Sequence, residues 1–88
     1  MKQIVTVTEV EGEGLEALLG ENVLIFCMNY IYTGKLVGVN QTCVKLENAK
    51  IAFETGAFDK PGYTDAQGLP GDSWYVQTSS IESFGRGK

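Results

Sequence analysis

Two glycines four residues apart, Gly34 and Gly38, lie inside the apolar run "IYTGKLVGV" of residues 31–39. A glycine inside a strand has no side chain to pack, and it commonly marks a sharp bend or a close approach of two backbones. A short strand needs such bends to curl into a small barrel. The run therefore predicts a strongly bent strand, and it favours a small β-barrel over a flat sheet.

Strand-like segments flank this run on both sides. "NVLIFCMN" (22–29) is apolar on both alternating faces, which predicts a central strand that is buried on both sides. "CVKLENAKIAFE" (43–54) has its apolar residues on one parity before Glu47 and on the other parity from Ala49 onwards. We therefore expect a β-bulge or a strong bend between these two residues.

The two ends of the chain predict further elements. "QIVTVTEV" (3–10) is rich in β-branched residues and predicts a strand. "EGEGLEALLG" (11–20) predicts a short amphipathic helix that ends at a glycine and covers one end of the core. "SWYVQTSSIESF" (73–84) predicts two short strands joined by a Thr-Ser-Ser corner. Residues 85–88 are expected to form a flexible tail.

Length and composition indicate one soluble domain. The chain has 88 residues, which gives room for one modest core, so we expect a single domain over 1–88. Residues 55–73 contain both prolines and four glycines, which predicts a long loop. The longest apolar run, "VLIFCM", is too short to span a membrane. No secretory leader opens the sequence, and we expect a cytoplasmic protein.

The residue inventory argues against catalysis and metal binding. The sequence has no histidine, which removes the commonest general base and the commonest metal ligand. No nucleophile elbow or phosphate-binding loop occurs. Cys27 and Cys43 each lie inside a strand-like run and are expected to be free, buried thiols. We therefore expect a protein that is not an enzyme and that binds no metal or cofactor.

The order of these elements resembles the Sm-like fold, the family of the eukaryotic and archaeal Sm and Lsm proteins and the bacterial RNA chaperone Hfq. The positions that match the first Sm motif are Gly20, Val23, Ile25, Cys27, Tyr32, Gly34, Leu36 and Gly38. "YVQTSSIESF" is similar to a weak second Sm motif. The resemblance implies a mainly β fold, in which a short N-terminal helix precedes a five-stranded bent antiparallel sheet closed as an Sm-like (SH3-like) barrel. The strand predicted at 3–10 would be an addition to it.

In this family the loop between the second and third strands lines a central pore and contacts RNA bases. The resemblance implies that Asn40, Gln41, Thr42 and Gln77 bind single-stranded RNA that is rich in A or U. The sequence departs from the family pattern here. Asn40 replaces the usual Asp, Thr42 replaces the stacking aromatic of Hfq, and Val44 stands near the base-contacting Asn of Sm proteins. Ordinary turn chemistry is the competing interpretation of residues 40–42.

The resemblance also implies a homo-oligomeric ring of about five to seven subunits, in which neighbouring subunits pair their edge strands. The expected interface residues are Trp74, Val76, Ile81 and Phe84. An alternative is a ring that acts as a protein-assembly scaffold without binding nucleic acid. The net charge of −4 and the acidic first quarter of the chain favour this alternative. A solitary SH3-like barrel that binds peptides is a third interpretation.

Overall fold

The structure, a computed structural model, describes residues 14–87. Six β-strands and two short 3₁₀ helices make up this part of the chain, so the predicted mainly β class is confirmed. In chain order the elements are a first 3₁₀ helix (Gly14–Leu18), β1 (Asn22–Cys27), β2 (Ile31–Val39), β3 (Cys43–Ala52), β4 (Gln67–Gly68), β5 (Ser73–Gln77), a second 3₁₀ helix (Thr78–Ser80) and β6 (Ile81–Arg86). The strand predicted at 3–10 lies outside the described residues.

The strands form one antiparallel sheet in the order β4-β3-β2-β1-β6, and β5 also pairs with β3. Within residues 14–87, β5 and β6 do not pair with each other, so the sheet is open and the prediction of a closed five-stranded barrel is wrong on this point. The physical reason is the second 3₁₀ helix, which turns the chain away from β5 and sends β6 to the edge of β1. Among the described residues, each of these two strands therefore keeps one unpaired edge.

A β-bulge bends β3 where the sequence predicts a change of face. Asn48 and Ala49 of β3 together lie opposite the single residue Gly34 of β2. Asn48 has a φ of 51°, and Ala49 after it is buried in the core. A Cβ atom at Gly34 would lie 3.0 Å from the carbonyl oxygen of Glu47, so only glycine fits against the bulge without movement of the backbone.

The core lies between the two halves of this bent sheet. Its buried residues come from four strands and are Val23, Ile25, Leu36, Val44, Leu46, Ala49 and Val76. Leu24, on the opposite face of β1, is also buried, which confirms that the first half of this strand is covered on both sides. Full burial of each large aliphatic side chain stabilises the fold by about 1.5–3 kcal/mol.

The prediction of an amphipathic helix over residues 11–20 is not supported. The described part contains a five-residue 3₁₀ helix with no fully buried side chain, although Leu15 and Leu18 pack against the core. Gly14, its first residue, and Gly20, two residues after its end, have φ values of 76° and 88°. So short a segment between two left-handed glycines cannot sustain α-helical hydrogen bonding.

The C-terminal tail is more ordered than expected, and the long loop is tied to the sheet. Residues 85–87 were predicted to be a flexible tail, but Gly85 and Arg86 pair with β1 and the Gly87 N–H donates to the carbonyl of Asn22. The loop 55–73 contains β4 and is tied back to the end of β3. One carboxylate oxygen of Asp65 accepts the backbone N–H groups of Phe53 and Glu54 at 2.8 and 3.0 Å.

Candidate nucleic-acid interface

The β2–β3 turn is organised by the side chain of Asn40. Its Oδ1 atom accepts hydrogen bonds from the Thr42 N–H at 2.8 Å, the Thr42 hydroxyl at 2.9 Å and the Cys43 N–H at 2.9 Å. The Asn40 N–H in turn donates to the Cys43 carbonyl at 3.0 Å. The turn chemistry considered for residues 40–42 is therefore present, and it gives this exposed loop a defined shape.

A second loop docks on this turn. Thr78, at the corner between β5 and β6, donates its backbone N–H to the carbonyl of Thr42 at 2.9 Å. Its hydroxyl donates to the carbonyl of Gln41 at 2.8 Å. These two hydrogen bonds join the two segments in which the Sm resemblance lies, although 37 sequence positions separate Gln41 from Thr78.

The structure brings the four residues of the predicted RNA site together on one exposed surface. Gln77 is opposite Cys43 in the β3–β5 register, and therefore next to the turn. All four side chains are exposed. We call this surface the polar edge, and its members are Asn40, Gln41, Thr42 and Gln77. Val44 is fully buried in the core, so it cannot replace the base-contacting Asn of Sm proteins.

Two further residues extend the polar edge. Tyr75 is two positions before Gln77 on the same face of β5, and its side chain is 59 % exposed. Lys45 lies opposite it on β3, with Nζ 5.9 Å from the centre of the tyrosine ring. The exposure of Tyr75 follows from its alternation with buried Val76 along β5. An aromatic face beside a cation suits a stacked base and its phosphate.

The four expected interface residues differ in how far their side chains are exposed. Val76 is buried in the core, and Trp74 and Ile81 are half-buried against it. Phe84 is 41 % exposed on β6. The side chain of Val76 is thus committed to the subunit's own core, and only its backbone lies along the unpaired edge of β5.

A groove runs along that unpaired edge. It has a volume of about 570 Å³ and is lined by the β1–β2 turn, Tyr32, residues 75–77 of β5, and Ser79 and Ser80. Cys27 also lines it, and burial, followed by the charge of Glu82, raises the pKa of its thiol. We call this feature the edge groove.

The described part of the chain holds neither a candidate metal site nor a membrane-spanning helix, and its surface carries an ion pair. Residues 14–87 contain no cluster of three or more His, Cys, Asp or Glu side chains placed to hold a metal ion. Neither 3₁₀ helix has the length or the apolar character needed to cross a membrane. Arg86 pairs with Glu21 at 3.0 Å on the exposed surface, far along β6 from the corner at Thr78.

The strong bend, the glycines and the bulges of this antiparallel sheet are typical of small β-barrel folds, although the described sheet itself stays open. The Sm protein of Pyrococcus abyssii, solved in complex with a uridine heptamer, has a similar structure, with a TM-score of 0.57 over 81 % of this chain and 89 % of that chain. The two sequences are 14 % identical. No family model matches the sequence, and no curated protein matches it. The chain therefore has the Sm-like fold, with a divergent sequence.

Proposed function

We propose that this protein assembles into an Sm-like ring that binds single-stranded RNA, as a binding protein rather than an enzyme. The observation that carries the proposal is the docking of Thr78 on Gln41 and Thr42, which gathers the polar edge from two distant segments. The uridine heptamer bound to the structurally similar Pyrococcus abyssii Sm protein supports the same class of ligand.

The polar edge offers the chemistry that single strands require. Gln41 and Gln77 present exposed amides that can reach the edges of unstacked bases. Tyr75 offers an exposed ring, and stacking of a base on such a ring contributes about 1–3 kcal/mol. Lys45 is the nearby cation. With so few positive charges, binding should depend only mildly on salt, because each phosphate contact contributes a slope of about −0.7.

Ring formation is supported by the two unpaired strand edges. An unpaired edge exposes backbone N–H and C=O groups that attract another strand. Pairing β5 of one subunit with β6 of the next would satisfy both edges, and the edge groove could then receive the exposed Phe84 of the neighbour. Repetition of such a head-to-tail contact closes a ring when the rotation permits, here at about five to seven subunits.

One observation favours the scaffold alternative. Met28, Tyr30 and Phe53, at or near the β1–β2 turn, are exposed apolar side chains that we call the exposed apolar cluster, with Met28 87 % and Phe53 58 % exposed. The rings of Tyr30 and Phe53 meet edge to face at 5.4 Å. Clustered exposed apolar side chains mark contact surfaces for other proteins. Met28 and Tyr30 also line the edge groove, so in a ring the part of the cluster at Phe53 would be left for protein assembly.

A double substitution tests the RNA proposal without disturbing the turn. In Gln41→Ala with Gln77→Ala, every hydrogen bond described for the turn and the corner is kept, because only the Gln41 carbonyl takes part in them. Fluorescent uridine and adenosine oligomers are titrated at low and moderate salt. We expect the double variant to bind about tenfold or more weakly than the parent. The matched control is Gln67→Ala, which removes an exposed amide of β4 outside the polar edge.

The outcomes separate the two candidate functions. Parent protein that forms a ring by light scattering and binds neither oligomer at low salt would leave the scaffold alternative in place. Parent protein that binds RNA equally well with and without the two glutamine side chains would show that the polar edge is not the site. A strictly monomeric mass at micromolar concentration would exclude the ring in both cases.

A further inference from the structure

The amide group of Asn40 has a fixed orientation. Its Oδ1 atom accepts the backbone N–H groups of Thr42 and Cys43, at 2.8 and 2.9 Å. A backbone N–H can only donate, so the oxygen of the amide must face these two groups and the nitrogen cannot. Because the amide is planar, the Nδ2 atom is directed to the opposite side. The turn thereby determines which half of the amide is available to a ligand.

The available half consists of donors only. Asn40 is exposed, and Nδ2 has no hydrogen-bond partner among residues 14–87. The amides of Gln41 and Gln77 have no such restraint, because the side chain of Gln41 takes no part in the turn and that of Gln77 caps no helix. These two can rotate to offer either a donor or an acceptor. Asn40 is thus the member of the polar edge whose outward atom can only donate, whereas the Thr42 hydroxyl, whose hydrogen is bound to Asn40 Oδ1, can only accept.

We infer that Asn40 is a specificity-determining residue, which donates from Nδ2 to the carbonyl oxygen of keto bases and discriminates against amino groups at the same position. This inference rests on the RNA function proposed above and names the base chemistry of that site. Uracil and guanine present a carbonyl oxygen where cytosine and adenine present an amino group. An amino group facing Nδ2 leaves two donors opposed and unsatisfied, which costs more than a missing contact.

The Asp found at this position in Sm proteins would form the turn equally well but could not donate a hydrogen bond to a base carbonyl. A carboxylate has acceptors for the same three donors, and its second oxygen accepts where the amide donates. The replacement of Asp by Asn therefore keeps the turn and reverses the hydrogen-bonding sense of its outward atom. It also removes a negative charge from a surface that would face phosphates.

The experiment compares uridine and cytidine oligomers, whose bases have rings of the same size and differ in the keto or amino group at the 4 position. We expect the parent to bind the uridine oligomer about threefold to tenfold more tightly, the effect of one neutral hydrogen bond. Asn40→Asp should abolish or invert this ratio. Lys45→Gln is the matched control, since it changes the charge of the same surface by the same amount and removes only a phosphate contact, so it should weaken both oligomers while keeping the ratio.

The possible results separate the role of Asn40 from the RNA function itself. Equal binding of both oligomers by the parent, or an unchanged ratio in Asn40→Asp, overturns the inference while the RNA function stands. Binding of neither oligomer by the parent overturns the RNA function, and the inference with it. Should Asn40→Asp fail to fold, as judged by urea unfolding, Asn40→Ser, which keeps an oxygen acceptor for the turn and lacks Nδ2, should lose the ratio that Lys45→Gln keeps.

Discussion

The hydroxyl of Thr78 donates a 2.8 Å hydrogen bond to the backbone carbonyl of Gln41. This contact lets the corner after β5 lie on the turn before β3, and the Thr78 N–H adds a parallel hydrogen bond to the Thr42 carbonyl. The polar edge is therefore a product of tertiary structure, since neither loop presents all its members alone. Perturbing this contact should affect the site more than the core.

Replacement of Thr78 by Val tests that relationship. The substitution keeps the backbone bond to Thr42 and a similar volume but leaves the Gln41 carbonyl without its hydroxyl donor. We expect a loss of about 0.5–1.5 kcal/mol in the free energy of unfolding, with a comparable weakening of RNA binding. Thr78→Ser keeps the hydroxyl and should restore both. Urea unfolding and RNA titration measure the two effects, and identical behaviour of the Val and Ser variants would contradict the role given to the hydroxyl.

Gly34 should be among the least replaceable glycines. In Gly34→Ala the new Cβ would lie 3.0 Å from the Glu47 carbonyl oxygen and 3.1 Å from the Ala49 Cα. Both obstacles are backbone atoms of the bulge, so they cannot move aside as a side chain does. We expect destabilisation of about 1–3 kcal/mol, measured by urea unfolding at one protein concentration.

Gly68→Ala is the control for that substitution. Gly68 lies in β4 without a left-handed φ, and no atom lies within 4 Å of the position that a Cβ atom would take there. The added methyl group should be tolerated, with a change of less than about 1 kcal/mol in either direction. Equal destabilisation by both substitutions would mean that the loss of a glycine, and not contact with the bulge, determines the decrease in the free energy of unfolding.

The bent core of the fold could be predicted from the sequence because its causes are local. The glycine at position 34, and the change of parity between Glu47 and Ala49, are visible in the residues themselves, and the bulge lies where they indicate. The extent of ordered structure could not be predicted this way. Residues 85–87 have no strand-like composition, and their order depends on pairing with β1, a partner some sixty positions away.

The candidate site was predictable in its members and not in their geometry. Asn, Gln and Thr were recognisable in the turn through the resemblance to Sm proteins. The sequence could not show that the oxygen of Asn40 is held by the turn, because that depends on the backbone path of Thr42 and Cys43. The sequence also led to the expectation that the last two strands leave sheet edges for neighbouring subunits to pair, and within residues 14–87 β5 and β6 do each keep a free edge.

Phe84 is the residue whose change should separate ring assembly from folding. It is 41 % exposed on β6, and we expect Phe84→Glu to leave the subunit folded while blocking its entry into a neighbour's edge groove. Light scattering should then report a ring for the parent and a monomer for the variant. Proline at Val76 would be a poorer test, because Val76 is buried in the core and pairs with Val44.

The control for assembly is Phe53→Glu. Phe53 is 58 % exposed just after β3 and contacts Tyr30 but does not itself line the edge groove, so the same change of chemistry there should leave the ring intact. A ring that survives Phe84→Glu would remove the edge groove from the interface. A ring lost in Phe53→Glu alone would place the interface on the exposed apolar cluster of Met28, Tyr30 and Phe53.

The free energy of unfolding should decrease at alkaline pH, because Cys27 and Tyr32, which line the edge groove, ionise there. Burial, with a smaller contribution from the Glu82 carboxylate, raises the pKa of the Cys27 thiol in the folded protein. Burial, followed by the neighbouring Cys27 and Tyr30, also raises the pKa of Tyr32. Both groups are neutral when protonated, so the folded state holds their protons more tightly than the unfolded state does.

The sign of the effect follows from that difference. The contribution of Cys27 to the free energy of unfolding is fully present below the ordinary thiol pKa of about 8.5. It is lost as the pH rises through the higher pKa of the folded state. Tyr32 adds a second loss above about pH 10. We expect the urea midpoint to be flat from neutral pH to about pH 8 and to fall beyond it. Cys27→Ala should flatten the first part of this decline, and Glu82→Gln should reduce it by a smaller amount. A slope that is the same in the parent and in Cys27→Ala would show that ionisation of this thiol is not coupled to folding.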